Sequence, residues 1–241
     1  MILIMRLLFL FLFLSVFTAQ AQELTGPQLL DKAIEHHDPN GNWPAFIGDL
    51  QVTMTTTGNS DRVSNIEINL PAERFALVVN RDSITTSYVV EKGDVSVLKI
   101  DEKKPMSQLE TTVKDEERAL FMQNYYTYLY GLPMKLEDQG TFITDQVERK
   151  SFKGKEYLVL EVMYDENVGS DVWYFYFDPS NYKMEIYQFF KRDQKGDIDR
   201  TSGEYILLSE NHDVSDINMP KVRNWYYNKD DKFLGTDVIT N

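Results

Sequence analysis

The chain has 241 residues, with 25 Lys+Arg against 38 Asp+Glu, a net charge of −13, and no cysteine. That balance argues against the cationic face that nucleic-acid binding needs, and against charge-driven attachment to anionic headgroups; the expectation is no nucleic acid and only indirect membrane contact. Without cysteine there is no disulfide, no thiol nucleophile and no lipid-modified residue behind a leader, so stability must come from a buried core.

Residues 1–21 read as a leader outside the fold. Arg6 is its basic region, Leu7 to Phe17 its apolar run, and Ala19-Gln20-Ala21 fits the small-x-small cleavage pattern. The run is short for a membrane span. These features predict cleavage before Gln22, a periplasmic or secreted protein, and one domain over residues 22–241.

Thr25 can cap a first helix that ends near His37, with Pro27 in its first turn. Leu29, Leu30, Ala33, Ile34 and His37 make its apolar stripe, and Asp38-Pro39-Asn40-Gly41 stops it. From Trp43 the period falls to two. Leu50, Val52 and Met54 alternate with polar residues, as do Ile66, Ile68 and Leu70. Runs at 75–79, 84–90 and 95–97 follow, separated by turns such as Arg81-Asp82 and Lys92-Gly93-Asp94. Strands so closely spaced form antiparallel hairpins. Residues 101–111, with Pro105, read as a loop.

Thr112 to Lys135 predicts a central helix. Thr112 and Asp115 form a capping-box pattern, the first turn is acidic, and Gly131 and Pro133 end it. Leu120, Phe121, Asn124, Tyr125, Tyr128 and Leu129 recur at helical spacing. The meander then resumes with runs at 142–147, 157–164, 172–177, 184–190, 204–208, 221–227 and 233–239, for eleven to twelve strands in all. Val172 to Phe177 is apolar on both faces, which predicts a central strand covered on each side.

Little in the chain points to catalysis. His36 and His37 are adjacent and cannot chelate one metal from a helix; interaction with the helix dipole is the plainer role. His36 with Asp38 is a weak surface-site candidate, and His212 lies in a polar stretch read as a turn. The segment Asp165 to Asp171 has oxygen donors around a glycine but lacks the spacing of a calcium loop. No catalytic residue, metal site or cofactor is assigned. A binding role has more support: Tyr125, Tyr128, Leu129, Leu132 and Met134 on or just after the helix, with Trp173 and Phe175 on the facing strand, would line a hydrophobic groove if the sheet curves away from the helix. If the helix packs tightly, the same residues are core.

Several phrases carry a family resemblance: His37-Asp38-Pro39 with Trp43; Tyr130-Gly131-Leu132-Pro133-Met134-Lys135-Leu136; Trp173-Tyr174-Phe175-Tyr176-Phe177-Asp178-Pro179; Gly203-Glu204-Tyr205-Ile206; and Arg223-Asn224-Trp225-Tyr226-Tyr227 followed by Leu234-Gly235-Thr236-Asp237. They resemble the DUF6503-type proteins, a secreted family of Bacteroidetes-type bacteria without an assigned activity. In architecture the chain is similar to the LolA-like lipoprotein carriers, which hold acyl chains between a curved sheet and covering helices. The resemblance implies a fold and transfers no site residue.

The expectation is therefore α+β: a strongly curved antiparallel half-barrel, its concave face covered by an N-terminal helix and a central helical insertion. The leading function is non-catalytic binding of an apolar ligand such as a lipid or the acyl chains of a lipoprotein. A protein-interaction or envelope-sensing module with a filled core is the alternative, and a carboxylate-based hydrolase the third.

Overall fold

The computed structural model of the chain describes residues 24–104, 108–109 and 112–241. The expected leader lies outside the described residues, as does Pro105; the stretch 101–111 read as a loop holds a strand end at Asp101 and a short strand at Gln108–Leu109. Helix α1 (Gly26–His37) precedes strands β1 (Ile47–Thr56), β2 (Arg62–Asn69), β3 (Arg74–Arg81), β4 (Ile84–Glu91), β5 (Asp94–Asp101) and β6 (Gln108–Leu109). Helix α2 (Val113–Gly131) then leads to β7 (Thr141–Ile143), β8 (Glu148–Phe152), β9 (Lys155–Tyr164), β10 (Val172–Phe177), β11 (Met184–Phe190), β12 (Glu204–Val214), β13 (Ile217–Tyr227) and β14 (Phe233–Ile239). All fourteen strands join one antiparallel sheet in the order β6-β5-β4-β3-β2-β1-β14-β13-β12-β11-β10-β9-β7, with β8 also paired to β9. The sheet does not close into a barrel.

Its curvature follows from what α2 touches. Asp115, in the first turn of α2, pairs with Lys99 of β5, while Tyr128 bonds to Tyr164 of β9 and packs on Trp173 of β10. In a flat sheet β5 and β9 would stand ten spacings apart, roughly 48 Å at about 4.8 Å each. Asp115 and Tyr128 are only about 20 Å apart along the helix at 1.5 Å per residue. Side-chain reach does not bridge that difference, so the strands wrap around α2.

Local chemistry explains the ends of both helices. Thr25 and Gln28 form a reciprocal capping box at α1. At α2 the Asp115 carboxylate accepts from the Thr112 backbone N–H at 2.9 Å. Gly131 ends α2 as expected, but without a positive φ. A Cβ there would lie 2.2 Å from Trp43 Cζ2 and 2.5 Å from Lys135 Cγ, so the helix end needs a residue without a side chain. Gly131→Ala is expected to cost about 1–3 kcal/mol through overpacking, read as a lowered urea midpoint at unchanged slope.

Three further expectations are corrected. His37 does not serve the helix dipole as a cation; it is 1% exposed, with Nδ1 2.7 Å from the Asn218 carbonyl and Nε2 accepting from the Met184 N–H at 3.0 Å. It ties α1 to β13 and β11. Asp38 is buried and accepts from the Asn42 and Trp43 N–H groups, so it forms no surface site with His36. His212 lies within β12, opposite Met219, because β12 and β13 run on to a turn at Ser215-Asp216, both with positive φ.

Strand β10 stands two places from one end of the sheet, not at its centre. Both its faces are nevertheless covered. Phe175 and Phe177 join the main core, while Val172, Tyr174 and Tyr176 form an outer cluster with Tyr157, Val159, Ile186 and Phe190. Phe152, Ile198 and Arg200 cover that outer cluster, the guanidinium lying 5.7 Å from the Tyr174 ring centroid. Covering by the β8–β9 hairpin and the segment before β12 replaces the second layer that a central position would have supplied.

Candidate functional site

The inner face of the sheet beneath α2 is the place where the chain concentrates unusual chemistry. Helix α2 buries Ala119, Met122, Tyr126, Leu129 and Tyr130, a stripe at spacings of three and four. This differs from the expected stripe: Leu120 and Phe121 point outward, 40% and 52% exposed. Apolar residues occur on more than one side of this helix, so spacing alone does not choose the buried side. The sheet chooses it, through Tyr126, whose hydroxyl meets Ser64 Oγ at 3.4 Å and accepts from Arg62 Nη2 at 3.3 Å.

All seven expected groove residues fall in or against one apolar cluster. Leu129, Leu132, Met134 and Phe175 are buried in it; Tyr125, Tyr128 and Trp173 are partly buried and packed against it. Tyr128 lies edge-on to Trp173 at 5.9 Å, and Trp173 stacks on Phe189 at 4.8 Å. Burial, with the neighbouring Tyr164, holds the Tyr128 phenol well above its ordinary pKa, so it stays a neutral hydrogen-bonding group.

Within this apolar surround sits a polar centre. Arg223 of β13 is 1% exposed and donates to the carbonyls of Pro220 at 2.9 Å and Leu129 at 3.5 Å. Its guanidinium lies 4.2 Å from the Tyr130 ring centroid. Asp237 of β14, directly opposite it in the ladder, is 4% exposed and accepts from Trp225 Nε1 at 3.1 Å. Burial raises the Asp237 pKa, while Arg223, Arg62 and the Trp225 bond hold it down. The Tyr130 and Tyr187 phenols are pushed up by burial, with Arg223 opposing and Asp237 adding to the rise.

Four atoms of this centre find no hydrogen-bond partner in the protein: Tyr130 OH, Tyr187 OH, Arg223 Nε and Asp237 Oδ1. A buried polar atom left so costs about 1–3 kcal/mol, and native interiors avoid such groups or use them. Four in one neighbourhood mark a place equipped to hydrogen-bond something. The arrangement offers donors, one acceptor and aromatic walls. It contains no nucleophile with a base beside it. Among the described residues no three His, Asp or Glu side chains are grouped to hold a metal ion.

The profile of DUF6503, described as a family of unknown function, matches residues 5–241. The chain belongs to that family. No curated protein matches this DUF6503 chain. Among solved structures it is similar to a LolA superfamily protein from Nitrosomonas europaea, at a TM-score of 0.49 and 10% identity over 91% of this chain and 93% of that one. It is also similar to a DUF1329 family protein from Desulfovibrio piger, at a TM-score of 0.49 and 6% identity over 91% and 92%.

Sequence reasoning about this DUF6503 chain reaches the apolar wall of the site and misses its polar centre. Arg223 and Asp237 stand at inward positions of β13 and β14, Arg223 two residues from Trp225 and Asp237 two from Ile239. A charge in phase with the apolar residues of a strand is the signal that finds them. Tyr187, in phase with Phe189, gives no such signal, since an inward tyrosine reads as ordinary core. The surface clefts lie elsewhere. One of about 450 Å³ is lined by Lys191, Gly203, Tyr227 and Lys232, and one of about 230 Å³ lies between α2 and the β2–β3 turn.

Proposed function

We propose that the chain is a non-catalytic binding or carrier protein for an apolar ligand, a lipid or the acyl chains of a lipoprotein, held beneath α2 in the periplasm or after secretion. The observation that carries this reading is helix α2 lying along the inside of an open, wrapped sheet. Such a helix is attached at its two ends and along one face, so its displacement would expose continuous apolar surface from Phe75 to Phe175. Burial of an acyl chain contributes about 0.8 kcal/mol per methylene, ample for binding without a charged contact. Tyr125, Tyr128, Leu129, Leu132, Met134, Trp173 and Phe175 are the proposed lining.

Native mass spectrometry of protein purified from its own host is expected to show co-purified lipid. Removal of that lipid should lower the melting temperature, because a ligand held only by the folded state stabilises it. Protein that carries no lipid and melts unchanged after extraction would end this reading. A second reading, a protein-interaction module with a filled core, is favoured by the outward Val113, Leu120 and Phe121 on α2, exposed by 69%, 40% and 52%.

A further inference from the structure

The ladders across five strands align ionisable side chains on the inner face. Arg62 of β2 opposes Met54 of β1, Met54 opposes Asp237 of β14, and Asp237 opposes Arg223 of β13. Directly opposed residues of antiparallel strands share a face. Arg81 extends the row on β3: it follows Asn80, which opposes Val63, and is in phase with the core residues Leu77 and Val79. Two guanidiniums, Arg62 and Arg223, thus flank one carboxylate, and Arg81 stands beyond Arg62.

The imbalance is notable in a chain of net charge −13, whose acids outnumber its bases by 38 to 25. Among the described residues none of the three arginines forms a salt bridge. The Nε atoms of Arg62, Arg81 and Arg223 are all buried without a hydrogen-bond partner, as are the hydroxyls of Tyr130 and Tyr187. Arg223, Tyr130 and Tyr187 are each 1% exposed. On these five strands Asp237 offsets one of the three positive charges; the next acid along the row, Asp101 of β5, is already held by Ser83 and the Lys103 N–H. Neutral oxygens could accept from these donors but would leave the positive charge unanswered; an anion answers both.

We propose that this row is a head-group site: Arg62, Arg81 and Arg223, with the Tyr130 and Tyr187 hydroxyls, donate to a carboxylate or phosphate whose apolar tail lies against the core beneath α2. Arginine suits this task because its planar fork matches both oxyanions and keeps its charge when buried. Asp237, held by Trp225, positions the neighbouring guanidiniums and does not touch the ligand's anion. The inference rests on the apolar-binding reading above and adds the chemistry of the ligand's polar end.

Calorimetric titration of the full chain with dodecanoate, dodecyl phosphate and dodecanol tests both. At least one anion is expected to bind about tenfold or more tightly than dodecanol, as buried charged hydrogen bonds require. Preference for dodecanoate would assign a carboxylate head and preference for dodecyl phosphate a phosphate head; either upholds the site. Arg62→Gln and Arg81→Gln, both on partly buried side chains at the strand ends, should each shrink the anion-to-alcohol ratio severalfold. Equal affinity for all three probes would overturn the head-group site and leave apolar binding standing. Binding of none would overturn both, and an anion preference untouched by either substitution would remove the arginine row from it.

Discussion

Arg223→Met is expected to lower the stability of the folded chain by about 2–6 kcal/mol, since two buried carbonyls lose their donor at about 1–3 kcal/mol each. The side chain is 1% exposed and serves three neighbours: the Pro220 carbonyl, the Leu129 carbonyl near the end of α2, and the Tyr130 ring. Its loss leaves those carbonyls unanswered and leaves Asp237 as a buried carboxylate with less positive charge nearby. Asp237→Asn should cost much less, since burial already disfavours the charged carboxylate and an amide oxygen can still accept from Trp225. The double variant is expected to recover part of the loss. Urea denaturation of the three proteins checks this. An Arg223→Met protein as stable as the parent would show that no charge centre operates beneath the helix.

The second large effect is a loss of stability in mild acid through His37. Burial, as the main cause, lowers its pKa from 6.5 to about 4, against the opposing bond to Asn218. The folded chain therefore refuses a proton that the unfolded chain accepts between about pH 6.5 and pH 4. Stability rises with pH wherever the unfolded state holds more protons, so this contribution is complete above about 6.5 and disappears on acidification through that window. The total is about 3 kcal/mol at 1.36 kcal/mol per unit. The geometry supplies the reason: Nε2 accepts from the Met184 N–H, and a protonated ring would place two donors face to face. Urea midpoints measured from pH 7.5 to 4.5 for the parent and for His37→Gln should converge as the pH falls. A constant gap between the two proteins would remove His37 from the acid response.

Where the sequence carries its own punctuation, the fold is legible. The Thr25 and Thr112 capping boxes, the turns at Lys92-Gly93 and Lys153-Gly154, and the alternation in Leu50 to Met54 all report local forces, and the strands and helices stand where these place them. Strand β8, Glu148–Phe152, has four polar residues of five and pairs only because the Lys153-Gly154 turn folds it onto β9. The far half of the β12–β13 hairpin is similar. Ser209 to Asp213 has no apolar alternation, since most of it projects into solvent, and the register comes from the Ser215-Asp216 turn and not from burial. The candidate site divides the same way. Its aromatic wall is visible as composition, whereas the meeting of Arg62, Asp237 and Arg223 is a product of strand order. No local pattern predicts that β1 lies beside β14.

That adjacency has a bearing on how the molecule is assembled. Strands far apart in the chain meet in the interior of the sheet: Val52 to Thr56 ladder with Gly235 to Ile239, and Gln51 bonds to Asn241, 190 positions away. Among the described residues, this ladder alone joins the β1–β6 wing to the β7–β14 wing within the sheet. Each wing can form from near neighbours as it emerges, but the seam between them waits for the seven-residue β14. Contacts between such distant parts of a chain form slowly, so the middle of this sheet is the last part to zip. Until then Arg62 of β2 and Arg223 of β13 belong to separate half-built bodies, and they come to flank Asp237 only once β14 is in place.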